Sequence, residues 1–304
     1  MNYTLGSLIG KGSDGEVYEL IENNHIKEKV IKFIQPSIYG IRNYLEPYIL
    51  LHLDHDCIMK AEKIEIEDDG LLKIIQDKAD IDLNKKNKRN IKINQKLKYM
   101  RQLTEAVYFL QRHSIIHGDI KPHNILLHKD NVKLSDFSLA RIITKEPLIC
   151  YQKPYTLAYR PPELKNNTIY LKSDIWALAC TLYEIFYGHC YFSISKERKN
   201  YHISDNKAEE IFDKLIEEML NTNVTQRLSI EDIIIFFNIN KATTGFILTS
   251  CLKFNDCNIN AKYLQKCYYE EKLNKMSKKY TNIEKNIAQK YNFDVFKKIQ
   301  EGIC

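Results

Sequence analysis

One short polar segment, residues 117–124 with the sequence HGDIKPHN, constrains this chain more than any other feature. It holds a carboxylate at Asp119, a cation at Lys121 and an amide at Asn124, and a second carboxylate, Asp136, follows it. A carboxylate can orient and deprotonate an attacking hydroxyl, a cation can neutralise a moving phosphate, and hard oxygen ligands can hold Mg²⁺. These residue types predict a phosphoryl-transfer site, with Asp119 as the base, Lys121 on the γ-phosphate, and Asn124 and Asp136 as metal ligands.

A glycine-rich motif near the N-terminus fits the same chemistry. The pattern G-x-G-x-x-G-x-V lies between two apolar runs and includes Gly10, Lys11, Gly12, Gly15 and Val17. Glycines let the backbone approach phosphate oxygens without a Cβ in the way. A dinucleotide-binding interpretation would require a helix directly after the last glycine, whereas a strand-like pattern follows here.

A lysine in the next apolar run supplies a second cation. In an alternating strand, Lys32 lies on the same face as Val30. Such a lysine needs a carboxylate partner to hold it on the phosphates. Glu46 is the only acidic residue between positions 35 and 53, and it is our predicted partner. Because Pro47 follows directly, we expect a short or reorganised helix at this point.

In order and spacing, these motifs resemble those of the eukaryotic-type protein kinase family. Residues 117–124 resemble the catalytic loop His-Arg-Asp-x-Lys-x-x-Asn, and residues 136–138 resemble Asp-Phe-Gly. Lys32 occupies the place of the lysine in Val-Ala-Ile-Lys, and Glu46 heads a segment similar to Glu-x-x-Ile-Leu-x-x-Leu-x-His. The resemblance extends over residues 5–238.

The resemblance implies an α+β, bilobal protein kinase fold. A small β-rich N-lobe with the hinge would occupy residues 1–78, and a larger, mainly helical C-lobe residues 79–240. A basic helical extension would occupy residues 241–304. ATP with Mg²⁺, or with Mn²⁺ in its place, would be the cofactor.

The resemblance also implies an adenine pocket. Val17, Val30 and Leu126 would enclose the adenine, and Ile75 would occupy the position that gates the pocket. Backbone groups from Gln76 to Lys78 would face the adenine edge. The segment carries little sequence signal, so a register displaced by one residue stays open.

Segments after the catalytic loop resemble the substrate-binding part of the family. Thr156 and Glu163 would mark the end of an activation segment, with Thr156 bonded to the catalytic Asp and Lys. Asp174 would accept hydrogen bonds from the catalytic-loop backbone, and Arg227 would form a structural ion pair with Glu163.

Substrate class follows from the same resemblance. Lys121 with Thr156 resembles serine/threonine kinases, whereas tyrosine kinases place Ala and Arg in that loop. We therefore expect transfer to serine or threonine hydroxyls of protein substrates. Residues 159–163, YRPPE, look like the group containing cyclin-dependent, MAP and SR-protein kinases. No long insert precedes Arg227, so the subgroup stays open.

Three departures from the family pattern favour an alternative, a pseudokinase that acts as a nucleotide-binding scaffold or interaction protein. Asp14 replaces an aromatic residue, Gly118 replaces an arginine and Ser138 replaces a glycine. None of them removes a catalytic group. A small-molecule kinase is a third interpretation, which the peptide-binding segment 156–163 disfavours.

Gly118 also bears on regulation. In kinases switched by loop phosphorylation, an arginine at this position helps receive the phosphate. The chain has Tyr151 at the usual switch position, and Thr144 lies too early. We therefore predict activity without loop phosphorylation; the alternative is that Lys145 or Lys153 replaces the missing arginine.

Composition indicates the solubility, the cysteine redox state and the cellular location to expect for the chain. None of its 304 residues belongs to an apolar run of eighteen or more, and its start lacks the features of a secretion signal, so we expect a soluble protein. Its eight cysteines show no C-x-x-C pair, which predicts reduced thiols and a cytoplasmic or nuclear location. Heavy use of Ile, Lys and Asn suggests an AT-rich genome, and a viral or parasitic origin would place the protein in a host cell.

The excess positive charge lies at the C-terminal end. Residues 241–304 carry 12 lysines against 6 acidic residues, a net charge of +6 that equals that of the whole chain. We predict a helical cap there; a docking surface for an acidic partner is the second interpretation, and nucleic-acid binding is disfavoured because acids alternate with the lysines. A second basic run, residues 85–89, is predicted to be a solvated loop, with attraction of acidic or phosphorylated substrates as the alternative.

Overall fold

The computed structural model describes residues 3–11, 15–22, 25–34, 46–47, 49–51, 53–66, 71–143, 145–150, 154–192 and 207–239. The chain divides into two compact units, residues 1–196 with 216–234 and residues 197–215 with 235–304, and the candidate site lies in the first. Several sequence predictions lie outside the described residues, namely those on Gly12, Asp14, Thr144, Tyr151, Lys153 and the extension 241–304.

A five-stranded antiparallel sheet forms the N-terminal part of the first unit. Its strands are β1 (Tyr3–Lys11), β2 (Gly15–Glu22), β3 (His25–Ile34), β4 (Ala61–Ile66) and β5 (Leu72–Asp77), in the order β1-β2-β3-β5-β4. Partners across an antiparallel pair point to the same face. One face therefore carries Val17 and Lys32, and the other buries Leu20, Ile31 and Ile75 in a hydrophobic cluster.

Two long helices organise the part that follows. Helix α1 (Ile93–Arg112) has a buried stripe, and α2 (Ser173–Tyr187), which contacts it, is buried from Ser173 to Ile185. A helix that is buried on every side must be apolar nearly all round, as α2 is. Gly188 ends α2 in the left-handed conformation, with φ of 81°. Helices α3 (Lys207–Met219) and α4 (Ile230–Ile239) follow.

Short strands connect the segments around these helices. They are β6 (Ile81–Asp82), β7 (Ile115–Ile116), β8 (Ile125–His128), β9 (Asn131–Leu134), β10 (Arg141–Ile142), β11 (Leu148–Ile149) and β12 (Thr168–Ile169). Strand pairs are β7 with β10 and β11 with β12, and β6, β8 and β9 form a sheet in that order. Lys129 and Asp130 join β8 to β9 with φ of 49° and 60°, the backbone that a two-residue hairpin turn requires.

The predicted α+β class, with a β-rich N-terminal part and a mainly helical part after it, is confirmed. Within the described part of the chain, no helix has both the length and the apolar character needed to cross a membrane.

Candidate active site

The buried carboxylate of Asp174 holds the backbone of residues 117–118, in the predicted catalytic loop, in place. The backbone N–H of His117 donates to Asp174 Oδ2 at 2.7 Å, and that of Gly118 donates to Asp174 Oδ1 at 3.1 Å. Asp174 lies in the first turn of α2 and is completely buried. Burial raises the pKa of Asp174, although the hydrogen bonds it accepts oppose that effect. The contact predicted between Asp174 and the loop backbone is present.

Four hydrogen bonds and ion-pair contacts surround the Asp119 carboxylate. Oδ1 accepts from the N–H of Thr156 at 3.0 Å and from its hydroxyl at 2.9 Å. Oδ2 lies 2.6 Å from Lys121 Nζ and accepts from Asn124 Nδ2 at 3.0 Å. Burial alone would raise the pKa of Asp119, but the hydrogen bonds and the charge of Lys121, together with the donors of Thr156, hold it below its ordinary value. The carboxylate is therefore ionised at neutral pH and able to accept a proton.

Lys121 and Thr156 complete this cluster. Lys121 Nζ donates to Thr156 Oγ1 at 2.8 Å, so the three side chains of Asp119, Lys121 and Thr156 form one connected group. Thr156 directly precedes a short 3₁₀ helix, Leu157–Tyr159, so its own contacts fix the start of that turn. The predicted bonding of Thr156 to both loop residues is present in the structure.

Asn124 and Asp136 are brought together by the β8–β9 hairpin. Ser135 donates to the Asn124 carbonyl from its N–H at 2.9 Å and from its hydroxyl at 3.0 Å. The Asn124 amide nitrogen donates to Asp119, which turns its oxygen away from that carboxylate. One amide oxygen and one carboxylate suit a divalent cation that completes its shell with nucleotide oxygens and water. Among the described residues no group of three or more His, Cys, Asp or Glu side chains could hold a metal by itself.

Lys32 links the sheet to this centre. Its Nζ lies 2.7 Å from Glu46 Oε1 and 3.4 Å from Asp136 Oδ1. Burial alone would lower the pKa of Lys32, but the two carboxylates outweigh burial and raise it above its ordinary value. Glu46 is itself buried, and residues 46–47 and 49–51 have helical backbone.

The glycine-rich motif differs from its prediction at Lys11. Gly10 and Gly15 lie at the facing ends of β1 and β2, where a Cβ on Gly15 would come within 1.8 Å of the Phe33 carbonyl oxygen. The Lys11 side chain is largely exposed and forms an ion pair with Glu16 at 2.7 Å across the hairpin. Glu16 pairs with Phe33, so the Lys11–Glu16 pair lies on the sheet face opposite Val17 and Lys32.

At the adenine edge, the prediction for Ile75 is wrong by one residue. Ile75 pairs with Ile31 and lies in the hydrophobic cluster on the other face of the sheet. Gln76 pairs with Val30, and two-residue alternation places it on the face that carries Lys32. Gln76 is 8 % exposed, so it is a buried polar side chain on the same side of β5 as Val30 and Lys32.

The prediction for Lys78 is wrong for the same reason. Its N–H donates to the Glu28 carbonyl at 3.0 Å, and its carbonyl lies 3.0 Å from His128 Nδ1. Both backbone groups are therefore used within the protein. The Lys78 side chain forms an ion pair with Glu19 of β2 at 2.7 Å. Of the predicted apolar walls, Val17 and Val30 share the sheet face with Lys32, and Leu126 lies in β8.

A buried ion pair joins Glu163 to Arg227. Arg227 Nη1 lies 2.8 Å from Glu163 Oε1, and Nη2 lies 2.9 Å from Oε2, which is the planar two-point contact that guanidinium groups make with carboxylates. Arg227 is 1 % exposed. Removing one partner of such a pair costs about 3–5 kcal/mol, because it leaves an uncompensated buried charge. The predicted structural pair is present.

Two features were missed by the sequence analysis. Tyr155 is buried and donates from its hydroxyl to Asp174 Oδ1 at 2.8 Å; no motif pointed to it. Lys88, in the basic run 85–89, is buried and lies 3.1 Å from Glu184 of α2, which also accepts from the Tyr159 hydroxyl at 2.7 Å. The predicted solvated loop is therefore wrong at Lys88. The carboxylate of Glu184, among the mostly apolar residues 175–187 of α2, was the signal that a buried partner exists.

Comparison with known proteins identifies the family. The family model described as protein kinase domain matches residues 3–235. A probable cell division protein kinase of Encephalitozoon cuniculi is 36% identical over 190 residues, which cover 60% of this chain and 71% of that protein.

Two further relatives are longer proteins. The dual specificity protein kinase Ttk of Danio rerio is 28% identical over 225 residues, 67% of this chain and 23% of that protein. The serine/threonine-protein kinase Nek11 of Homo sapiens is 29% identical over 255 residues, 76% of this chain and 39% of that protein. The chain thus spans less than half the length of these two relatives. With the family model covering most of its length, the chain belongs to the eukaryotic-type serine/threonine protein kinase family.

Proposed function

We propose that this chain transfers the γ-phosphate of Mg-ATP to serine and threonine hydroxyls of protein substrates. The observation that carries the proposal is the connected group of Asp119, Lys121 and Thr156, in which an ionised carboxylate is held by a cation and a hydroxyl. Mg-ATP, when bound, supplies the phosphoryl group, and the metal supplies positive charge that stabilises the transferred group.

Asp119 acts as the base in this proposal. It accepts the proton of the substrate hydroxyl as that oxygen bonds to the γ-phosphorus and the bond from that phosphorus to the departing ADP oxygen breaks; Thr156 holds the carboxylate in orientation through Oδ1. Lys121 lies beside Oδ2 and neutralises negative charge on the transferred phosphate. Positioning and electrostatics carry most of the catalysis in this reaction class.

Three other side chains hold the nucleotide and its metal. The ammonium of Lys32 would hold the α- and β-phosphates, with its direction fixed by Glu46. Asn124 and Asp136 provide the protein oxygens for Mg²⁺, for which Mn²⁺ is an adequate substitute. Val17, Val30 and Leu126 enclose the adenine ring.

Adenine recognition lies one residue later in the chain than the sequence predicted. Gln76 faces the pocket and sets its depth, because it shares a sheet face with Val30 and Lys32. The backbone of Asp77 and Ala79 reads the adenine edge, since both groups of the intervening Lys78 are used internally. The N–H of Ala79 has no hydrogen-bond partner in the described part of the chain, which leaves it free to donate to adenine.

The pseudokinase alternative is not favoured by any contact in the described residues. Gly118 keeps its backbone bond to Asp174, and Asp136 remains beside Lys32 despite Ser138. The acidic partner of residues 241–304 and the cytoplasmic or nuclear location stay predictions.

The test is phosphate transfer by the purified full chain. We expect phosphoserine and phosphothreonine, located by mass spectrometry, after incubation with Mg-ATP and a protein mixture, with Mn²⁺ in a parallel arm. Asp119→Asn serves as the inactive variant, and Asp56→Asn, an exposed carboxylate outside the site, as the matched control. No transfer by the parent, together with nucleotide binding, would favour the pseudokinase instead.

A further inference from the structure

Tyr155 is an unusual residue for its backbone conformation. Its φ is 66°, and among the described non-glycine residues with positive φ it is the only aromatic one. A bulky side chain in this region is a genuine outlier, which persists only where surrounding contacts hold it. Tyr155 is 2 % exposed, so those contacts lie inside the protein.

All three polar groups of Tyr155 are used. Its N–H donates to the Gly118 carbonyl at 2.7 Å, and its carbonyl accepts from Arg160 Nη2 at 2.9 Å and Nε at 3.2 Å. Its hydroxyl donates to Asp174 Oδ1 at 2.8 Å. Burial and the neighbouring carboxylate raise the pKa of Tyr155 well above its ordinary value, so the hydroxyl keeps its proton and remains a donor.

The hydroxyl contact joins two segments that the reaction must keep in register. Asp174 accepts the backbone N–H groups of His117 and Gly118, which directly precede Asp119. Tyr155 directly precedes Thr156, which donates its N–H and hydroxyl to Asp119. The same buried carboxylate therefore holds the residues immediately before both partners of the Thr156–Asp119 contact.

Gly118, which directly precedes Asp119, has no side chain that could bond to the segment carrying Thr156. It has φ of 79°, and a Cβ built on it would lie 2.6 Å from the Leu139 carbonyl oxygen. The side-chain bond that connects the two segments therefore comes from Tyr155, on the segment that carries Thr156. Arg160 is directed to the Tyr155 carbonyl and reinforces this arrangement.

We infer that Tyr155 is a positioning residue of this kinase: it ties the segment that carries Thr156 to Asp174 and so sets Thr156 on the Asp119 carboxylate. The inference rests on the proposed function for its catalytic consequence. Tyr155 touches neither nucleotide nor substrate in this role, and acts through Thr156.

The test compares Tyr155→Phe with the parent and with Tyr99→Phe. Phenylalanine keeps the ring and its packing and removes only the hydroxyl. Tyr99 is a matched control, because it is equally buried and donates to a carboxylate, Asp130, at 2.5 Å away from Asp119. We expect kcat for a protein substrate to fall about tenfold in Tyr155→Phe, with KM for ATP within twofold, and no change in kcat for Tyr99→Phe.

A second readout does not require activity. Amide hydrogen exchange at Thr156 should be at least tenfold faster in Tyr155→Phe than in the parent, and unchanged in Tyr99→Phe. Equal kcat in Tyr155→Phe and the parent, or unchanged exchange at Thr156, overturns the inference. If the parent transfers no phosphate, the proposed function fails, and the exchange result alone decides whether Tyr155 positions Thr156.

Discussion

The proposed transfer centre around Asp119 and the proposed adenine-binding edge at residues 72–79 depend on different kinds of contact. Around Asp119, charged and polar side chains bond directly to one another, as Lys121 and Thr156 do. Along residues 72–79, strand pairing decides which face each side chain lies on. Internal backbone hydrogen bonds, such as that of the Lys78 N–H, decide which backbone groups are left to bind a ligand. Side-chain identity therefore defines the first region, and register defines the second.

The largest effect should come from the metal ligand of the transfer centre. Asp136→Asn removes a charge that a divalent cation needs, and we expect transfer to fall about a thousandfold, or ~4 kcal/mol of transition-state stabilisation. The melting temperature should be unchanged, because the Asp136 side chain is partly exposed and its nearest cation, Lys32, keeps Glu46. Steady-state rates beside those of Asp56→Asn give the measurement. Near-normal transfer by the variant would remove Asp136 from the site.

The ion pair between the sheet and the transfer centre should be next in size. Glu46→Gln leaves Lys32 without its nearest charge, and we expect kcat/KM for ATP to fall about 10- to 100-fold, since a tenfold change corresponds to about 1.4 kcal/mol. The matched control is Glu65→Gln, which breaks an ion pair with Lys63 elsewhere in the sheet. Equal rates for Glu46→Gln and the parent would show that this contact does not orient Lys32 for catalysis.

Register at the adenine edge can be tested with enlarged nucleotides. Gln76→Ala should improve the use of an N6-benzyl ATP relative to ATP about tenfold, which is ~1.4 kcal/mol of discrimination, because it opens the pocket face of β5. Ile75→Ala should give no such gain and should instead lower the free energy of unfolding by about 2–5 kcal/mol. The ratio of kcat/KM values and a denaturant titration provide the two measurements. A gain in Ile75→Ala and none in Gln76→Ala would restore the sequence-based register.

The smallest effect is expected from removing phosphates. Because Gly118 offers no side chain to a loop phosphate and Tyr155 ties the segment internally, phosphatase treatment should change activity by less than about twofold. The assay follows removal of the phosphatase, with untreated protein carried through the same steps. Loss of most activity, regained after treatment with an activating kinase, would contradict this expectation.

The two regions also differ in how far the sequence predicts them. Asp119, Asn124 and Asp136 could be proposed from the sequence because few residue types can perform the chemistry predicted for them. Residue 75 was misassigned because β5 is buried on both faces at Ile74, Ile75 and Gln76, so apolar alternation carries no register there. The backbone conformation of Tyr155 could not be predicted, because the usual signal for positive φ is a glycine.

Buried ion pairs were also only partly predictable from the pattern of charges in the sequence. Lys88 belongs to a run whose pattern is typical of a solvated loop, and only the fold reveals that Glu184 lies within 3.1 Å. Glu46, by contrast, was identified because no competing acid occurs nearby in the sequence. Long-range pairs are predictable when the number of candidates is small.

Gly118 also limits how this loop can change in evolution. A side chain at that position requires the Leu139 carbonyl oxygen, which would lie 2.6 Å from the new Cβ, to move first. Any replacement of this glycine must therefore absorb both a left-handed backbone and a displaced carbonyl, so position 118 should tolerate far less variation than its exposed neighbours in the sequence.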